Sequence, residues 1–306
     1  MHQHTVTVMN PIFWPRLNRV LRRAMRPFGK ILPVDWQPRV TGIITIELDN
    51  YHSIQLACNP TSFAAKRLFF EGTEGYEPET FRMLRALAPQ TDVFLDIGAN
   101  LGYYSLVSAS YNPKMKIKSF EPLPGPYHYL RKNIRLNNFE KIETLKLALS
   151  SSRGEDVFHY TVDSTFAEIE HHLTSTGSLD QAAAQQYDNA RSCNVTVETV
   201  DQYVSSELEG HSVDLMKIDT ESTEHLVLEG ATGVLSDQRP VIICEVLADA
   251  SHEYLRDLQM RHDYNSYRIG KNGIIHGKSE VINKNVPRNK IMVPTEKMGI
   301  LDNIRK

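Results

Sequence analysis

The sequence predicts an α/β fold, a doubly wound and mostly parallel seven-stranded sheet with helices on both faces. Three observations carry this. Short apolar runs recur at 93–97, 117–120, 141–149, 213–219 and 240–246, each long enough for a buried strand and too short for a helix. Stretches with apolar residues at helical spacing separate them, and strands alternating with helices mean a parallel sheet covered on both faces. Two late strand-like runs, 264–269 and 290–294, complete the seven as the paired edge of the sheet.

The stretch that organises the rest is VFLDIGANLG, 93–102. It reads as a strand, a turn between Gly98 and Gly102, and a helix opened by Tyr103, with Tyr104, Leu106, Val107 and Ala109 at helical spacing. Such a junction aims backbone N–H groups and a positive dipole end at whatever sits above the strand. Asp96 stands just before the first glycine, and Glu121 ends the next apolar run, at the distance expected for a ribose-binding carboxylate.

The other elements follow in order. Residues 1–10 are expected to be weakly ordered. Residues 15–26, flanked by Pro11 and Pro27, read as an amphipathic helix with Arg16, Arg19, Arg22, Arg23 and Arg26 and no acid. Such a helix either lies on an anionic membrane surface or packs on the main domain with its arginines in water. Residues 42–57 alternate around Asp49-Asn50, as a hairpin does. A polar, aromatic loop then carries Tyr76 and Glu77 into a helix over 79–88, from where they could reach over the glycine turn. After helix 124–137 and the strand 141–149 comes an alternating run, 155–160. The segment 161–192 is the least regular part and is read as a lid or substrate loop, its His171 and His172 as solvated histidines. A strand at 194–200, helices at 199–207, 222–235 and 250–260, and the strands already given complete the chain.

Composition sets bounds. The chain has 306 residues, 41% hydrophobic and 23% charged, enough for one large α/β domain with additions or two small ones. A net charge of -3 gives no global reason to expect a nucleic-acid partner. Cys58, Cys193 and Cys244 show no metal-ligand spacing and form no disulfide framework, which fits a reducing cytosol. No apolar run is long enough to span a bilayer, and 1–9 lacks the apolar core of a signal peptide.

Four strand ends thus carry acids toward one edge: Asp96, Glu121, Asp219 and Glu245. Ligands of open α/β sheets bind outside the carboxyl ends of strands. The turn D-I-G-A-N-L-G lacks the G-x-G-x-x-G of a dinucleotide site and the lysine-serine ending of a P-loop. It suits a ligand with a ribose, an adenine and a small zwitterionic tail better than one with a pyrophosphate.

These residues resemble the FkbM-type S-adenosylmethionine-dependent methyltransferases of the class I, Rossmann-like fold. The matching blocks are FLDIGANLGYYSLVSA, KSFEPLPGPYHYLRKNIRLNN, LALSS, VTVETVDQY, VDLMKIDTESTEHLVLEGA and RPVIICEV, with HDYNSYRI toward the end. The resemblance runs from about Tyr76 to about Ile269. Two departures stand out: Ser222 replaces the glycine usual in K-I-D-x-E-G, and Asp263 stands where a glycine is common.

The resemblance implies roles. S-adenosyl-L-methionine is the cofactor, its methionine part held by Asp96 and the 98–102 turn, its ribose by Glu121, its adenine between Pro122 and Ala148. The cofactor-binding candidates are Tyr76, Glu77, Asp96, Gly98, Asn100, Gly102, Tyr103, Glu121, Pro122 and Ala148. The catalytic candidates are Asp219, Glu221, His225 and Glu245, with Lys217 pairing a carboxylate or snorkelling. No metal set is assigned, although a divalent ion could replace the base by acidifying the acceptor. The expected reaction is O-methyl transfer to a sugar, glycolipid or other small molecule, in the cytoplasm or at the inner membrane face. A nucleic-acid methyltransferase and a non-catalytic cofactor-binding protein are the alternatives, the first disfavoured because no N-P-P-Y, D-P-P-Y or P-C signature is present. Residues 1–75 would form an extension and 76–306 the methyltransferase domain.

Overall fold

The computed structural model describes residues 20–304 apart from 22, 167, 174–176, 181–188, 209, 247–248, 271–272 and 276–288, and excludes the side chains of 249–253, 273–275 and 302–303. Residues 1–10 and most of the basic helix expected at 15–26 therefore lie outside the described residues. Residues 20, 21 and 23–25 are helical and pass into a 3-10 turn, Arg26–Phe28.

The hairpin forms as expected. β1 (Gly42–Glu47) pairs antiparallel with β2 (Ser53–Cys58), from Gly42 opposite Cys58 to Glu47 opposite Ser53. Asp49 closes it, its Oδ1 accepting from Tyr51 N and His52 N at 2.8 Å each. Helices α1 (Phe63–Glu71) and α2 (Pro78–Leu87) lead to β3 (Val93–Ile97) and α3 (Tyr103–Tyr111). β4 (Lys116–Phe120), α4 (Pro124–Asn137) and β5 (Ile142–Leu145) follow. Two asparagines tie the hairpin to α4. Asn133 Oδ1 accepts from Ala57 N at 2.6 Å, and Asn137 Oδ1 accepts from Gln55 N at 2.7 Å.

The strand expected at 141–149 is two strands. β5 stays in the main sheet, whereas β6 (Ala148–Leu149) pairs with β9 (Ala190–Glu198) in a second sheet that also holds β7 (Gly154–Thr161) and β8 (Gly177–Ser178). Only two residues separate the two pieces and both bury apolar side chains, so the change of partner was hidden in the sequence. The rest is α5 (Val200–Glu207), β10 (Leu215–Ile218), α6 (Glu224–Glu229), α7 (Thr232–Asp237), β11 (Val241–Glu245), α8 (Asp249–His262), β12 (Tyr264–Gly270), β13 (Gly273–Ile275) and β14 (Asn289–Pro294). The single helix expected at 222–235 breaks between α6 and α7. Gly230 lies so close to β6 that a Cβ there would meet Ser150 O at 2.1 Å. Asp201 then caps α7, its Oδ2 and Oδ1 accepting from Gly233 N and Val234 N at 2.8 Å each.

The main sheet has the order β13-β12-β14-β11-β10-β3-β4-β5. β11, β10, β3, β4 and β5 run parallel, and β14 and β12 form the antiparallel pair at the other side. These are the seven expected strands, and the three-residue β13 extends the edge. The chain winds outward from β3 to β5, then returns to β10 on β3's other side, so the switch in strand order lies between β3 and β10. Phe94 and Leu215 face one core with the hairpin, and Leu95 and Met216 face the other.

Candidate active site

Strand parity gathers the polar residues. Lys217 lies in register with Asp96, Asp96 with Ser119, and Lys217 with Ile243. Alternation along each strand then sends Asp96, Ser119, Lys217 and, beyond the strand ends, Glu121 and Asp219 to the same face of the sheet as Glu245.

The turn after β3 is shaped by its backbone. Gly98, Asn100 and Gly102 have φ of 78, 50 and 91°. At Gly98 a side chain has no room, since its Cβ would lie 1.9 Å from Asp219 O. Asparagine tolerates the left-handed region by bonding locally, and Asn100 Oδ1 accepts from Leu101 N at 2.8 Å. Each N–H of 98–102 has a partner within the protein. Gly98 N and Ala99 N donate to Phe120 O at 3.1 and 2.9 Å, Asn100 N to Glu121 Oε2 at 2.9 Å, and Gly102 N to Ala99 O at 2.8 Å. The N–H groups expected to face a ligand are therefore engaged, and the turn is not a phosphate cradle of the kind free helix-terminal N–H groups make.

Glu121 is what the turn holds up. Its Oε1 accepts from Leu123 N at 2.9 Å, its Oε2 from Asn100 N. Burial pushes its carboxyl up to about 7, against the lowering by these two N–H groups. A carboxylate accepts at about four lone-pair sites, so acceptor capacity remains. Glu121 lines a cavity of about 930 Å³, open mouth included, with Pro122, Ala148 and Phe158 beside it.

The far wall of the same cavity holds Lys217, Asp219 and Glu221. The Lys217 side chain is 3% exposed, and its ammonium is 2.9 Å from Asp219 Oδ2 and 4.7 Å from the centroid of the Tyr104 ring. Carboxylate oxygens of Asp219, Glu221 and Glu245 lie within 4.8 Å of one another. Burial alone would raise the Asp219 carboxyl, but Lys217 outweighs it and holds Asp219 below its ordinary range. Glu245 goes the other way, pushed up to about 10 by burial and then by Asp219, Glu77 and Glu221. The pair is thus biased toward a charge on Asp219, beside Lys217, and a proton on Glu245. Glu221 and Ser222 have φ of 51 and 86°. The buried Glu224 pins their turn, its Oε1 accepting from Ser222 N at 3.0 Å and Thr220 N at 3.2 Å.

Of the expected cofactor residues, Tyr76, Gly98, Asn100, Tyr103, Glu121, Pro122 and Ala148 line the cavity. Asp96 is not in the lining: it lies within β3, short of the strand's end, fully buried, and accepts from the Ser105 hydroxyl. Gly102 lies behind it against Leu130. Glu77 is one contact removed, its Oε2 accepting from the Tyr104 hydroxyl at 2.8 Å. Among the catalytic candidates, Asp219, Glu221 and Glu245 come together, while the half-buried His225 on α6 is neither in that cluster nor in the lining. The histidines read as solvated are so only in part: His171 stacks on His128 at 4.1 Å with its side chain still 30% exposed, while both ring nitrogens of His172 are buried without a hydrogen-bond partner among the described residues. The cause is long-range, since Asn59 Nδ2 donates to His171 O and Leu173 N to Thr61 Oγ1, drawing this stretch inward. Sequence reasoning missed Phe158, Leu147 and Tyr104 as lining residues. Tyr104 follows Tyr103 at the head of α3 and could have been found there, whereas Phe158 enters only through the second sheet.

One apolar, partly aromatic cavity with a buried carboxylate at one end and no phosphate cradle fits an adenosyl group without a pyrophosphate. The sheet order, the antiparallel β14 and the crevice at the switch point define a class I methyltransferase fold. A family model described as "Methyltransferase FkbM domain" matches residues 96–266, and the chain belongs to that family. The chain is 24% identical over 250 residues to the AMB antimetabolite synthetase AmbE of Pseudomonas aeruginosa, covering 72% of this chain and 11% of AmbE. It is 28% identical over 158 residues to the methyltransferase sdnD of Sordaria araneosa, covering 46% of this chain and 61% of sdnD. The chain thus spans about a tenth of the first relative and about three fifths of the second. Among solved structures, the methyltransferase FkbM from Methylobacillus flagellatus KT overlays with a TM-score of 0.42 at 12% identity, over 66% of this chain and 43% of that one.

Proposed function

We propose that the chain is an S-adenosylmethionine-dependent O-methyltransferase acting on a hydroxyl of a sugar, glycolipid or other small-molecule natural product. The observation that supports this is one cavity with Glu121 in one wall and an ionised Asp219 beside Glu221 in another. In this reading Glu121 accepts hydrogen bonds from the two ribose hydroxyls, and Pro122 and Ala148 flank the adenine. S-adenosylmethionine, when bound, supplies an electrophilic methyl carried on a sulfonium. Asp219 orients the acceptor hydroxyl and takes its proton as the oxygen gains the methyl. A hydroxyl oxygen becomes strongly acidic as it is alkylated, so a carboxylate held ionised by Lys217 is a sufficient base. Glu245 stays protonated and donates to Asp219, which fixes that carboxylate's direction, and Tyr76 and Tyr103 shield the mouth from water.

We further propose that residues 1–75 serve the unit 76–306 as an extension, since Ile44, Ile46, Ile54 and Leu56 of the hairpin share a core with Phe94 and Leu106. The enzyme would work in the cytoplasm, with peripheral membrane contact through the arginines of 16–26. Among the described residues no helix is long and apolar enough to cross a membrane.

The test is calorimetry with S-adenosylmethionine and with NAD, followed by mass spectrometry of sugars and lipids incubated with enzyme and cofactor. Binding of the first nucleoside alone and a gain of one methyl on a hydroxyl are expected. Binding of NAD alone, or cofactor binding without transfer to any extract, would sink the reading.

A further inference from the structure

The chain's charge is unevenly spread. Within 1–36, Arg16, Arg19, Arg22, Arg23, Arg26 and Lys30 face one acid, Asp35, which gives +5. The whole chain carries -3, so the remainder carries -8. The same stretch is where apolar side chains stand in water. Val20, Leu21, Phe28, Ile31 and Trp36 make up half of the large exposed apolar residues among those described, with Ile31 79% and Trp36 72% exposed.

This exposure is not that of a loose tail. Gly29 sits so tightly on α1 that a Cβ there would meet Phe70 O at 2.4 Å. The buried Gln37 donates from Nε2 to Gly29 O at 3.0 Å, and Lys66 donates to Val34 O at 3.2 Å. The Arg26 guanidinium lies 5.2 Å from the centre of the Phe69 ring. Polar and glycine residues thus fasten the segment 26–37 to the protein, and Phe28, Ile31 and Trp36 are left outside. The half-exposed Phe63 continues the apolar area, because the Lys66 ammonium that bonds Val34 O lies 5.9 Å from the Phe63 ring. A fastened segment that keeps an aromatic, aliphatic and basic surface in water is the pattern of a helix or loop that seats in a headgroup layer.

We propose that the segment 23–37, held on α1, is a membrane-docking surface for an anionic bilayer, with Phe28, Ile31 and Trp36 entering the interface and Arg23, Arg26 and Lys30 meeting the headgroups. A lipid surface accounts for both halves of the observation. A nucleic acid would explain the basic residues and leave Ile31 unexplained. An acidic protein face would match the charge and needs a partner of matching shape.

The chain's two tryptophans, Trp14 and Trp36, are both in this region, so intrinsic fluorescence reads it selectively. Trp14→Phe leaves Trp36 as the reporter. Phosphatidylcholine vesicles containing about 30% phosphatidylserine should shift Trp36 emission to the blue and sediment the full-length protein. Removing the anionic lipid should weaken binding at least about tenfold, since each basic residue near such a surface is worth about fivefold in affinity. Phe28→Ser with Ile31→Ser should weaken it about tenfold, and Arg23→Glu with Lys30→Glu by about a hundredfold or more. S-adenosylmethionine binding, measured on each variant, reports that the site is intact. None of these residues lines the cavity, so loss of vesicle binding with the cofactor reading intact separates this proposal from the enzymatic one. Absence of vesicle binding, binding untouched by either double variant, or tight binding of a short duplex DNA in place of vesicles would overturn it.

Discussion

The two ends of the cavity are built differently. At the Glu121 end, backbone does the work: a turn with three left-handed residues presents one N–H to a single buried carboxylate, and another N–H comes from Leu123. At the Asp219 end, side chains from four separate stretches surround one ammonium: Glu77, Asp96, Tyr104 and Asp219 around Lys217. The first end is rigid by covalent geometry and tolerates one charge. The second is held by charge balance, so removing any member shifts all the others. Backbone-built sites should therefore fail locally when mutated, and charge-built sites globally.

The largest effect should fall on Lys217. Lys217→Met leaves Asp219, Glu221, Glu245 and Glu77 close together with no cation. Breaking a buried ion pair on one side typically costs about 3–5 kcal/mol. A clear drop in denaturation midpoint at neutral pH is expected, partly recovered at acidic pH as the carboxylates protonate. A midpoint close to wild type at both pH values would show that the cluster does not depend on this charge.

Asp219→Asn comes next. The role proposed for Asp219 matters in the transition state more than in cofactor binding. Turnover should fall by about a hundredfold or more, the scale of general-base loss, with S-adenosylmethionine affinity little changed. Glu245→Gln gives the contrast within the pair: it keeps a hydrogen-bond donor toward Asp219, so turnover should stay within about threefold. Equal losses in both variants would mean that the two carboxyls act as one unit, and the division of roles would fall.

How far this was legible follows from the same contrast. VFLDIGANLG announced the strand, the turn and the helix because glycine spacing is local, and strand ends bearing Asp219 and Glu245 could be counted one by one. Lys217 could not be placed beside Asp96, because register between distant strands is not written in either. The second sheet was hidden for a similar reason: β6 follows β5 after only two residues, yet pairs with β9. The burial of the His172 ring nitrogens was hidden because the hydrogen bonds that hold this stretch come from Asn59 and Thr61, over a hundred residues earlier.

At the backbone-built end, Glu121→Ala should lower cofactor affinity about tenfold to a hundredfold, through the loss of charge-assisted hydrogen bonds worth roughly 1.5–3 kcal/mol. Unchanged affinity in a folded protein would remove Glu121 from the ribose. Its titration adds a pH signature. The carboxyl is raised from an ordinary 4.5 to about 7 in the folded protein. Between those values the folded state holds a proton that the unfolded state has released. Stability therefore falls as pH rises through this window, by up to about 3 kcal/mol from this group. Glu121→Gln should flatten that fall between pH 4.5 and 7, and an identical pH profile in wild type and variant would contradict the raised value.

The smallest effect tests the one place where backbone strain meets the charge cluster. Ser222 and Asp263 both stand where the family favours glycine, and both have left-handed backbone, with φ of 86 and 53°. Asp263 has local compensation, since its Oδ1 accepts from Thr295 Oγ1 at 2.9 Å and its carbonyl from Thr295 N at 3.1 Å. Ser222 is held through its N–H by Glu224, a bond that any residue could make. A side chain in the left-handed region costs about 1–2 kcal/mol, and glycine loses about 0.5–1 kcal/mol more backbone entropy on folding. Ser222→Gly should therefore stabilise the protein by about 0.5–1 kcal/mol, a rise of about 2 °C in Tm. Asp263→Gly should not, because it gives up the Thr295 contact. If the left-handed Ser222 also serves to aim Glu221 into the mouth, Ser222→Gly should raise KM for the acceptor while cofactor affinity stays constant. A gain in Tm with unchanged kinetics would mark Ser222 as strain without function, and a loss in Tm would mean that its side chain makes a contact worth more than the strain.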